Sequence, residues 1–176
     1  MEPRTVVLVE GTSDRRAIET LARRRGVDLE ANEIAVVPMG GYGNLPRVLA
    51  RLDGVRTAGL YDAGEERHFR RALECDDRRG LERRGFFACT RDLEDELTRA
   101  VGADGVQQVL ADQGELRAFR TYQKQPAHRD RPLEEQLHGF MWNRKQRYAV
   151  LLVEALDLDR VPRPLDRVLA AATARR

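Results

Sequence analysis

The sequence predicts an α/β fold: a mainly parallel four-stranded sheet flanked by helices, with a helical C-terminal extension. Three observations predict it. Short apolar runs alternate with charged helical patterns over the first hundred residues, two of the runs are nearly continuous and rich in β-branched residues, and after about residue 91 only helical patterns remain. The strands read as TVVLV (5–9), IAVVPM (34–39), RTAGLY (56–61) and GFFACT (85–90). Between the first two, SDRRAIETLARRRG places Ala17, Ile18, Leu21 and Ala22 on one helical face, with Ser13 expected as N-cap and Gly26 as the stop. NLPRVLARLDG and EERHFRRALE continue the alternation. The later helices are DLEDELTRAVG, GVQQVLADQG, EEQLHGFMW, KQRYAVLLVEAL and PLDRVLAAATA, and QKQPAHRDRP (123–132) is a polar, proline-marked loop. Residues 1–100 are expected to form the α/β core and 101–176 a helical extension packed on it.

Composition narrows the class. The 176 residues suffice for a real core, and a formal charge of +2 permits a nucleic-acid partner without demanding one. Of the 31 basic residues only Lys124 and Lys145 are lysines. Cys75 and Cys89 lack metal-ligand spacing, so neither a disulfide framework nor a structural zinc site is expected. With no signal pattern and no apolar run near the ~20 residues a membrane helix needs, the chain reads as a soluble cytoplasmic protein.

The acids carry the chemistry. Ligand sites of parallel α/β sheets gather outside the carboxyl ends of the strands. Glu10 follows the first strand and Asp14 falls in the first turn of the next helix. Asp62 ends the third strand, with Glu65 and Glu66 beyond it, and Asp92 and Glu94 follow the fourth, with Asp95 and Glu96 continuing into the helix. Singly, Asp14 and the 92–96 cluster read as ordinary helix starts, because the macrodipole favours acids there. Glu10 and Asp62 terminate strands and have no such reason. Like charges converging on one edge repel unless a cation or a proton relieves them. All-oxygen ligands suit Mg²⁺ or Mn²⁺, and five or six carboxylates suffice for two ions ~4 Å apart, the arrangement used in phosphoryl transfer. A single carboxylate pair doing acid–base work would leave the other acids unexplained.

VLVEGTSDRRAIETLA, followed later by LYDAGEE, resembles the Toprim domain, and more closely the Toprim domains of the overcoming-lysogenization-defect (OLD) nucleases, which usually follow an ATPase domain. The resemblance covers about residues 5–100 and runs more loosely to the end. It implies a Toprim, Rossmann-like fold and a divalent-metal nuclease. It further implies Glu10 as the signature acid, Asp14 as a metal-holding residue, Asp62 as the central ligand, and Asp92 with Glu94 around a second ion. Lys145 would correspond to the base-rich position that neutralises charge on the phosphate. Two departures stand out. The family's Asp-x-Asp reads Asp62-Ala63-Gly64-Glu65 here, which moves the second carboxylate to Glu65 or loses it. No GxxxxGK[ST] loop occurs, so the reading is of a stand-alone Toprim chain, with any ATPase on a separate chain.

The expected activity is cleavage or nicking of nucleic acid, DNA before RNA, with water as nucleophile. Glu10 or Asp14 would help to deprotonate it. Attack by Tyr42 or Tyr61, a ribonuclease or nucleotidyl transferase, and a non-catalytic regulatory module acting with an ATPase are the alternatives. A homo-oligomer is left open. Backbone contact would rest on Arg15, Arg16, Arg23, Arg24 and Arg25, on Arg67, Arg70 and Arg71, and on HRDR in the loop. MGGYGN (39–44) reads as a structural turn near the site, His68, His128 and His138 as ordinary polar positions, and Phe140 and Trp142 as core packing.

Overall fold

The computed structural model describes residues 3–174, so residues 1, 2, 175 and 176 of the two expected regions lie outside the described residues. Strands β1 (Thr5–Val9), β2 (Ile34–Pro38), β3 (Arg56–Asp62) and β4 (Phe86–Cys89) form one four-stranded sheet in the order β2-β1-β3-β4. Every pairing is parallel: Val9 lies opposite Pro38, Leu8 opposite Val37 and Gly59, and Asp62 opposite Cys89. All carboxyl ends therefore share one edge.

The helices are α1 (Thr12–Arg24), α2 (Leu45–Arg51), α3 (Glu66–Ala72), α4 (Arg78–Arg83), α5 (Leu93–Val101), α6 (Ala103–Asp112), α7 (Leu116–Gln123), α8 (Leu133–Met141), α9 (Lys145–Ala155) and α10 (Arg163–Thr173). They cover both sheet faces. Successive β1 side chains point to opposite sides, so Val7 and Val9 enter one core while Val6 and Leu8 enter the other. The first core is closed by α1 and by α5 to α10, through Ile18, Leu97, Phe119, Leu137, Leu152 and Val168. The second is closed by α2, α3 and α4, through Leu45, Phe69 and Leu81. Burial on both faces explains why β1 reads as an unbroken apolar run. At Gly59 in β3 a Cβ would lie 2.6 Å from the Leu8 carbonyl oxygen and 2.8 Å from Cδ1 of Phe86, so only glycine fits there. Among the described residues no helix is long and apolar enough to cross a membrane.

The structure corrects the expected start of α1 and adds two short helices. Ser13 is not the N-cap: α1 begins at Thr12 with Gly11 as its cap residue, and the Ser13 hydroxyl is buried without a partner. Two short helices were not expected from the sequence. Helix α4 has six residues and is capped by Asp77, whose Oδ1 accepts from the Gly80 N–H at 2.7 Å. Helix α7 has eight residues, with Phe119 its buried anchor, and takes in Gln123 from the segment read as loop. Helix α4 carries one large apolar side chain, Leu81, and so shows no stripe in the sequence.

Helices α1 and α9 pack together and run parallel. Near their N-termini Asp14 and Lys145 feel each other's charge; nine residues further along each helix Arg23 meets Glu154. Arg24 donates to the carbonyls of Val153 and Leu156, both at 2.7 Å, closing the C-terminal end of α9. Arg25 pairs with Asp166 of α10 at 2.6 Å, and Arg15 with Glu19 at 2.7 Å. Arg15, Arg23, Arg24 and Arg25, read as candidate backbone contacts, are thus engaged within the protein.

Candidate metal centre

A cleft of about 350 Å³ opens at the carboxyl edge of the sheet, lined by Glu10, Asp14, Asp62, Asp92, Glu94 and Lys145, with Gly40 and Gly41 forming part of its wall. Each arrives by simple chain geometry. Glu10 is the first residue after β1, and its carbonyl accepts the N–H groups of Gly40 and Gly41 at 3.1 and 3.4 Å. Those glycines have φ of 72° and 107°, and the turn MGGYGN is therefore a glycine-dependent wall of the cleft. Asp62 is the last residue of β3, and the short helical turn Ala63–Glu65 swings Glu65 back towards it.

Glu10, Asp62 and Glu65 each place a carboxylate oxygen within 4.8 Å of the others. The displaced second carboxylate thus reaches the same point as the first two. Burial, then the charges of Glu65 and Glu10, raises Asp62 to about 7. Burial and Glu10 likewise raise Glu65 to about 7, and one Glu65 carboxylate oxygen is buried without a hydrogen-bond partner. Three acids held against their own repulsion, with an unpartnered oxygen among them, form an all-oxygen donor set that fits a hard divalent cation.

Asp14, Glu94 and Lys145 form an adjoining group. Asp14 accepts the Gly11 N–H at 2.8 Å and so also closes the start of α1. Burial and then Glu94 raise it to about 6, against the opposing pull of the Gly11 N–H and Lys145. Glu94 is buried, with one carboxylate oxygen unpartnered. Asp92 is different. Its Oδ1 accepts the Asp95 N–H at 2.7 Å as the cap of α5, and its Oδ2 lies 2.9 Å from Nε2 of the buried His138. Burial opposes its charge, but the His138 and Asp95 hydrogen bonds prevail and hold it below the usual carboxylate range.

Glu65 meets Glu10 and Asp62 without being part of the cleft lining, and the remaining acids also lie outside it. Glu66 pairs with Arg78, and Asp95 with Arg99 at 2.9 Å. Glu96 accepts the Thr90 N–H at 2.7 Å. The two tyrosines differ in placement. Tyr61 lines the cleft but is buried on Phe69, with burial pushing its hydroxyl up to about 12, while Tyr42 packs at a tilt against His68 outside the cleft lining.

Three features escaped the sequence. His138 supports Asp92 from 46 positions away, so no local spacing could reveal it. Glu115 accepts from Arg144, from Arg147 at 2.6 Å and from the Tyr148 hydroxyl at 2.6 Å, fixing the turn of α9 that carries Lys145. Trp142, expected in the core, is 51% exposed and lines the cleft, whereas Phe140 does pack against the core.

Residues 4–63 match the family model for the overcoming lysogenization defect protein-like TOPRIM domain. Solved structures with this fold include the C-terminal region of the Burkholderia pseudomallei OLD protein, with a TM-score of 0.75 at 19% identity, covering 98% of each chain. The C-terminal region of the Xanthomonas campestris pv. campestris OLD protein gives a TM-score of 0.72 at 23% identity, covering 97% of this chain and 92% of that one. At such identities these likenesses bear on the fold. No curated protein matches the chain.

Proposed function

Because the chain carries an OLD-like TOPRIM domain and folds throughout as the C-terminal regions of OLD proteins do, we propose that it is a divalent-metal-dependent nuclease that nicks or cleaves nucleic-acid phosphodiesters, DNA before RNA. The observation that carries the reading is the convergence of Glu10, Asp62 and Glu65 within 4.8 Å at the open edge of the sheet. These three would hold one Mg²⁺ or Mn²⁺, and Asp14, Asp92 and Glu94 would serve a second. The chemistry supplied by such cations is a water made nucleophilic at neutral pH and neutralisation of the phosphate oxygens.

The protein's own groups do the rest. Asp14 or Glu10, both in the cleft lining, would accept the proton of the attacking water. Lys145, held at the start of α9, neutralises charge developing on the phosphate. His138 keeps Asp92 charged and oriented, the part a supporting residue plays around a metal ligand.

The test is relaxation of supercoiled plasmid with Mg²⁺ or Mn²⁺, beside EDTA and the folded Glu10→Ala and Asp62→Ala variants. Nicking that needs the metal and is lost in both variants is the expected result. Metal binding without nicking would replace this reading with that of a module requiring a separate ATPase chain. A covalent protein–DNA adduct would replace hydrolysis with tyrosine attack.

A further inference from the structure

Trp142 is out of place for a structural residue. It is 51% exposed in a chain whose other large apolar side chains are, apart from the partly exposed Tyr42, buried or half-buried among the described residues. It belongs to the short turn Trp142–Arg144 between α8 and α9 and lines the acidic cleft rather than the core. The Lys145 ammonium lies 5.0 Å from the indole centroid, and the His138 ring stands 5.6 Å away. The junction of α8 and α9 thus presents an aromatic face and a cation in the lining of a single cleft, with the buried His138 that supports Asp92 just behind them.

From this arrangement we infer that Trp142 stacks on an unpaired nucleobase beside the phosphate under attack, making the substrate a single strand or a frayed or flipped nucleotide rather than intact duplex. The inference rests on the nuclease reading of the same cleft. Its physical basis is general. An indole face accepts any base by stacking, whereas a base inside a duplex has both faces covered. A base seated on Trp142 also brings its flanking phosphate to Lys145, so the contact that selects an unpaired base positions the group to be cleaved. The acidic cleft repels phosphate, and stacking together with Lys145 supplies the attraction there.

Trp142 is the single tryptophan of the chain, so its emission reports the contact directly. The experiment titrates the full chain in Ca²⁺, which takes the same oxygen ligands, with a single-stranded oligodeoxynucleotide, the RNA of the same sequence and a blunt DNA hairpin. Fluorescence is read beside anisotropy of the labelled strands. The single strand should quench Trp142 emission, the hairpin should not, and Trp142→Ala should weaken single-strand binding about tenfold while Trp142→Phe restores most of it. Equal quenching by RNA would support the base contact and show that the sugar is not read. Binding without quenching, or equal weakening of single strand and hairpin in Trp142→Ala, would overturn the inference and leave the nuclease reading standing. Failure of a metal-loaded protein to bind any of the three would overturn both.

Discussion

At the scale of single residues, the site is a balance between repulsion and the groups that relieve it. Asp62 and Glu65 are raised to about 7 and Asp14 to about 6, with burial the largest cause in each. Their unfolded values are those of ordinary carboxylates, about 4. Between that value and about 7 the folded chain binds more protons than the unfolded one, so in the absence of divalent cation these acids make stability fall as pH rises. A cation competes with those protons. The Mg²⁺-induced rise in melting temperature is therefore expected to be larger at about pH 8 than at about pH 5.5, and a rise equal at both would count against the cluster as the binding site. The positions of Glu10 and Asp62 were legible in the sequence because a residue at the end of a parallel strand has one place to go, and that of Asp14 because it opens the helix that follows β1. Glu65 was legible as a displaced partner of Asp62, since a single helical turn separates them. The places of His138 and Trp142 were not, because what sets them is tertiary: a partner 46 positions away for one, and an exposed cleft wall for the other.

At the scale of elements, α1 and α9 together set the position of Asp14 and Lys145 in the cleft. The packed, parallel pair places Asp14 and Lys145 at the same end, and Arg24 ties the far end of α9 through the carbonyls of Val153 and Leu156. Removing that guanidinium leaves two partly buried acceptors without their charged donor. Arg24→Ala is expected to cost about 1–3 kcal/mol in denaturant unfolding and to slow nicking, as α9 loses its registration on α1. Unchanged stability would show that solvent satisfies those carbonyls as well as the arginine does. The four strands and α1 were readable because long buried runs and an amphipathic stripe are strong periodic signals. Helix α4 was not, since Leu81 is its one large apolar side chain, whereas α7 does offer an apolar spacing in Leu116, Phe119 and Tyr122. The basic residues 23–25, which composition marks as candidate nucleic-acid contacts, are used to fasten α1 to α9 and α10.

At the scale of the whole molecule, two cores on opposite sides of one parallel sheet leave a single edge where strand ends, the α1 start and the α9 start converge. That topology was implied by strand–helix alternation. The way α5 to α10 close one face was not, because helix-to-helix contacts between distant segments leave no local trace in the sequence. Glu10, Asp62 and Glu65 at this edge are proposed to hold the cation. That proposal is tested most directly by calorimetric titration of the protein with Mn²⁺, beside Glu65→Gln, a substitution that keeps the shape and removes one charge. The account predicts saturable binding by the wild type and affinity weakened by at least about tenfold in the variant. No binding by the wild type, or equal affinity in the two proteins, would contradict it.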